Sequence, residues 1–201
     1  MFARLKALET AVSSTPNTVI GRYLLGRAYR LKGEHSKSLE ILEPIIKNHI
    51  EEFRAFIEYS TTLLESGQPL NQAIAVLNMS TTYGLSDARF IATLGGMIFL
   101  DGNFSSAKDI FLESTKRELP YEEIHNVHFR PRLSANGKPF QLRGKIIVVR
   151  PKYVIIESEG YPTFICPASK WLGVQLKEGI LVDFCVEFSA SGPVALKLLV
   201  I

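Results

Sequence analysis

Three glycines, Gly33, Gly67 and Gly102, lie 34 and 35 residues apart, and each ends one helical apolar pattern and precedes another. Ser38, Ala73 and Ala107 follow at the same spacing, and Leu42, Leu77 and Phe111 follow them. Leu25-Gly26 is echoed by Leu94-Gly95, with Tyr59-Ser60 in the middle copy. A period of this length restricts the first half to stacked helix pairs. The glycine stops the first helix where a left-handed backbone costs least. The small residues let the helices approach, and the large apolar ones fill the space between pairs. One pair cannot bury its own apolar face, so the units must stack.

The segment from about Pro16 to Leu119 therefore resembles three tetratricopeptide (TPR) repeats, with Met1–Ser14 as a capping helix. Arg22 replaces the early aromatic of the family pattern, Phe56 keeps it, and Ser38 stands for the usual alanine. The resemblance implies an α-solenoid whose first helices line a concave groove for a protein partner. Tyr23, Arg27, Arg30, Arg54, Ile57, Thr61 and Arg89 are expected to face it. Four arginines there suit an acidic segment, although long arginines also cover apolar surface while staying wet. Tyr23 and Arg27 occupy positions where the chaperone-tail-binding subtype carries lysine and asparagine, so that specificity is not expected.

Pro120 stops the last repeat helix, and after His125 the apolar period changes to two. Charge changes with it: residues 1–125 hold 13 Lys/Arg against 15 Asp/Glu, and residues 126–201 hold 10 against 5. The division reads as a helical domain at 1–119, a linker at 120–126 and a β domain at 127–201. His128–Leu133 is an expected edge strand, since Pro131 would break a central ladder. Asn136-Gly137 is a hairpin-turn dipeptide. Strands are expected within Lys138–Val149 and at Tyr153–Glu157, Thr163–Pro167, Ile180–Phe188 and Val194–Val200. The fold class is thus α+β with two domains, the second a five-stranded antiparallel barrel with an extra hairpin.

Leu142–Ile201 resembles the cold-shock branch of the OB fold, chiefly through Leu176-Lys177-Glu178-Gly179, Val182–Glu187 and Ser191–Ala195. That resemblance implies single-strand binding, RNA before DNA, with bases stacked on strand aromatics. Tyr153 and Phe164 fall at motif positions, while Ile155, Cys166 and Pro167 replace other family residues. Arg130, Arg132, Lys138, Arg143, Lys145, Arg150 and Lys152 form a run without Asp or Glu and complete the candidate nucleic-acid site. A solvated basic edge that blocks aggregation, or docking on the acidic helical half, would use the same residues.

No phosphate-cradling loop, nucleophile elbow or metalloprotease helix occurs, so no enzyme and no cofactor are expected. His125 and His128 lack further ligands at metal spacing. Cys166 and Cys185 lie in apolar runs and read as buried thiols of a reducing, cytoplasmic compartment; a disulfide between them would need an oxidising one. The first residues lack the apolar stretch of a signal peptide, and no run is long enough to span a membrane. The expected protein is an adaptor with a protein partner and single-stranded nucleic acid. The alternative is an assembly subunit whose barrel makes only protein contacts. The sequence leaves the oligomeric state open.

Overall fold

The computed structural model describes residues 2–15, 18–48, 51–132, 139–171 and 175–201. Helix α1 (Phe2–Ser14) precedes α2 (Val19–Leu31), α3 (His35–Lys47), α4 (Phe53–Glu65) and α5 (Leu70–Asn78). The single turn α6 (Thr81–Gly84) leads to α7 (Ala88–Leu100) and α8 (Phe104–Lys116). The pairs α2/α3, α4/α5 and α7/α8 carry the repeated positions. Gly33, Gly67 and Gly102 sit at φ of 81°, 79° and 83°. The next residue in each copy returns its N–H to the helix: Glu34 to the Tyr29 carbonyl, Gln68 to Leu63, Asn103 to Ile98. Each first helix is thus ended by the same six-to-one hydrogen bond. Packing repeats as well. A Cβ on Gly26 would come within 2.5 Å of Leu42, and one on Gly95 within 2.5 Å of Phe111.

The segment expected as a linker holds a short helix instead, α9 (Tyr121–Asn126). Pro120 precedes it and supplies a fixed φ, and Glu122 and Glu123 stand in its first turn, where they favour the positive helix end. The barrel follows: β1 (Gln141–Arg150), β2 (Tyr153–Glu157), β3 (Phe164–Pro167), β4 (Leu181–Ser189) and β5 (Gly192–Val200), closed in the order β1-β2-β3-β5-β4. The expectation of an all-antiparallel barrel is corrected: β3 and β5 run parallel, through Ile165 and Val194. Geometry requires one such pair, because five strands cannot alternate direction all the way round a closed ring. Residues 127–132 form no named strand. Phe129 exchanges two backbone hydrogen bonds with Phe188 at the end of β4, and Arg132 bridges Pro139. Leu133, the Asn136-Gly137 turn and Lys138 lie outside the described residues.

The two halves share one core. A continuous cluster of buried side chains runs from Phe56 and Leu77 through Phe90, Met97 and Phe99 to Phe164, Phe184 and Phe188. Phe99 of α7 lies 5.3 Å from Phe188 and 5.9 Å from Phe164, and Phe164 lies 5.2 Å from Phe184 inside the barrel. Phe188 also stacks on Phe111 of α8. Gly96 makes this approach possible: a Cβ there would stand 2.8 Å from both Phe129 and Phe188. This explains why α7 is buried along nearly its whole length. One side meets its repeat neighbours and the other meets the barrel.

Candidate functional site: the cleft between repeats and barrel

Placing the barrel on α7 brings its first segment across the end of the helical groove. The result is a cleft of about 530 Å3 lined by Arg30, Lys32, His35, Thr61, Glu65 and Arg89 from the helices and by His128, Arg130 and Arg132 from the barrel side. Ile57 is buried in its floor. Beneath it lies Glu58 of α4, 1% exposed. Three arginines from two other helices converge on that carboxylate: Arg30 Nε at 2.7 Å, Arg89 Nη2 at 3.2 Å and Arg27 Nε at 3.6 Å. Arg30 also donates to Glu65 at 3.0 Å. Burial opposes the charge on Arg30, but Glu58 and Glu65 outweigh it and hold the guanidinium above its ordinary pKa.

On the opposite wall, Arg130 Nε donates to Glu187 at 2.6 Å. His128 Nδ1 stands 3.9 Å from Glu187 Oε2, and both atoms are buried without a hydrogen-bond partner among the described residues. Burial pushes the His128 imidazole below its ordinary pKa, with Glu187 acting against it.

The residues read as groove-facing separate into three kinds. Arg30, Ile57, Thr61 and Arg89 line the cleft, and Arg27 reaches its buried carboxylate. Tyr23 does not face a groove: it is buried against Leu42, Ile45 and Ala55, because its ring fills the space between the first two pairs. Arg54 is bidentate to Glu52, at 2.6 and 2.7 Å, and lies over the Tyr23 ring. The arginines expected to await an acidic ligand therefore already hold carboxylates of their own chain.

The basic run is likewise divided. Arg130 and Arg132 belong to the cleft. Arg143 crosses to Asp183 of β4 at 2.9 Å, which holds that carboxyl below its ordinary pKa. Lys145 pairs in register with Glu157. Arg150 and Tyr153 are cross-strand neighbours, both exposed, with Lys152 in the turn between them. Phe164 is corrected from stacking platform to core: it is fully buried, since alternation along β3 turns Phe164 and Cys166 inward and Ile165 outward. The outward row across the sheet is Val148, Ile155, Ile165 and Val194.

Cys166 and Cys185 are both free and buried, and burial pushes the Cys166 thiol up to about 12. Among the described residues no group of three or more His, Cys, Asp or Glu could hold a metal. No helix among them is long and apolar enough to cross a membrane.

Glu58, Glu65, Glu187, His35 and His128 were not singled out as site residues from sequence. A signal for the first two exists: they are seven residues apart on α4, on one helical face, between arginine-bearing first helices on either side.

No family model matches the sequence, and no curated protein matches it. Solved structures similar to part of the chain include MamA (residues 41 to the end) from Desulfovibrio magneticus RS-1, 15% identical with a TM-score of 0.48, the match covering 57% of this chain and 64% of that one. A thermophilic TPR protein of Thermus thermophilus, TTC0263, is 18% identical with a TM-score of 0.49, at 57% and 64% coverage. The Yersinia enterocolitica type III secretion translocator chaperone SycD is 14% identical with a TM-score of 0.47, at 55% and 83%. The chain thus spans less than two thirds of the MamA and TTC0263 structures. The described residues form an α+β chain in which a region of repeated helix pairs packs on a closed five-stranded barrel.

Proposed function

We propose that the chain is a non-enzymatic adaptor that binds a protein partner along the first helices of three tetratricopeptide repeats, with an OB-type barrel fixed against the last repeat. The observation that carries this reading is the cleft between helices and barrel, whose polar walls are held in place by buried ion pairs. Rigid, pre-formed donors bind without the ordering cost that free side chains incur. The strand order with one parallel β3/β5 pair supports the OB assignment. Thr61 offers a clean test, because it lines the cleft and stands outside the ion pairs. In affinity capture from nuclease-treated extract, a partner held by the wild type is expected to be lost with Thr61→Tyr, while the melting temperature stays unchanged. Equal recovery by both proteins would remove the cleft from the account.

A second reading, single-strand binding, is favoured by one feature. Arg150, Lys152 and Tyr153 cluster at the exposed β1–β2 turn, and neither cation pairs with a carboxylate among the described residues. One exposed ring is a weak platform, since each base stack contributes about 1–3 kcal/mol, and the row beside it is aliphatic. Titration with labelled single-stranded RNA at low salt decides the matter. Binding lost in Arg150→Ala/Tyr153→Ala would support this reading, and no binding at about 50 μM protein would exclude it.

A further inference from the structure

The cleft collects charge from both halves of the chain. Arg27, Arg30 and Arg89 share Glu58 and Glu65, Arg130 holds Glu187, and Arg132 has no carboxylate partner among the described residues. With Lys32 of the lining and its partner Glu34, six cations therefore meet four carboxylates in and beneath the cleft, an excess of two positive charges in a partly enclosed space. The donors come from both halves of the chain, Arg89 from α7 and Arg132 from the barrel side, and Thr61, His35 and His128 also line the cleft. His128 Nδ1, buried 3.9 Å from Glu187 Oε2, has no hydrogen-bond partner among the described residues.

We infer that this cleft binds a phosphomonoester carried on a serine or threonine of the partner segment, an assignment that rests on the adaptor reading above. A phosphomonoester carries about −1.5 to −2 charges near neutral pH and presents three strong acceptor oxygens. That charge matches the excess. Its tetrahedral oxygens suit donors arriving from both halves of the chain, whereas a planar carboxylate is met best by a single fork. The volume suffices for one phosphorylated side chain and its flanking backbone.

The probes are a short Gly/Ala-flanked peptide carrying phosphoserine, the same peptide with serine, and inorganic phosphate, each titrated calorimetrically into the full chain. The phosphoserine peptide is expected to bind at least about tenfold more tightly than the serine peptide, and Arg132→Ala to weaken it about tenfold. Because Arg132 is exposed and outside the ion-pair network, that variant leaves the melting temperature unchanged. Equal affinity of the two peptides, or phosphopeptide binding that ignores Arg132→Ala, would overturn the inference. Inorganic phosphate that binds as tightly as the phosphopeptide would overturn the assignment to a protein segment. If no phosphate probe binds while a captured partner is still lost with Thr61→Tyr, the phosphate inference falls and the adaptor reading stands.

Discussion

Glu58 is a buried acid whose removal would reach three helices at once. Breaking a buried pair costs about 3–5 kcal/mol when a charge is left stranded. Arg27 and Arg89 are partly exposed and can turn to water, whereas Arg30 is enclosed. Glu58→Ala is therefore expected to lower stability by about 3 kcal/mol, read from the urea midpoint, and Glu58→Gln by less. A loss below about 0.5 kcal/mol would show that the network contributes nothing to folding. His128 sets a pH dependence of known sign. Its folded pKa lies below its ordinary value of 6.5, so the unfolded chain takes up the proton first. Stability should fall as pH drops below about 6.5 and level off beneath the folded pKa. His128→Asn should flatten that slope in urea midpoints measured from pH 7.5 to 5; an unchanged slope would assign it to other groups. The cations of this site were readable as residue types, but their partners were not. Nothing in the spacing of Arg30 and Glu58 says that α2 and α4 place them 2.7 Å apart.

At the scale of elements, period and alternation carried most of the fold. Each of the three repeat glycines ends a helix where the spacing places it, and β2 spans the expected Tyr153–Glu157. Two features were hidden for different reasons. The parallel β3/β5 pair follows from closure of an odd-numbered ring, a property of the whole sheet that no strand's own pattern contains. A motif position marks Phe164 as a platform by residue type alone, while the pleat decides which face it occupies. Phe164→Ala is accordingly expected to cost about 3–5 kcal/mol of stability and to leave any RNA affinity of the folded protein unchanged. The glycine pair of α7 divides its duties, Gly95 admitting Phe111 and Gly96 admitting the barrel. Gly96→Val should destabilise by about 1–3 kcal/mol through overpacking and raise the rate of proteolysis between α8 and β1. Unaltered proteolysis would mean that the barrel can shift to make room.

For the whole molecule, the division near residue 126 is a change of secondary structure inside one hydrophobic core. Composition and charge revealed the change of pattern; they could not reveal that Phe99, Phe129 and Phe188 meet across it, because those contacts join distant parts of the chain. The cleft exists only because of that contact, so its chemistry depends on the halves unfolding together. The chain has a single tryptophan, Trp171, on the barrel side and packed against the shared core. It reports the barrel, and far-ultraviolet circular dichroism reports the helices. Urea unfolding followed by both signals is expected to give coincident midpoints and one slope. A tryptophan transition separated from the helical one, with the helices surviving loss of the barrel, would contradict a common core and leave the cleft without its second wall.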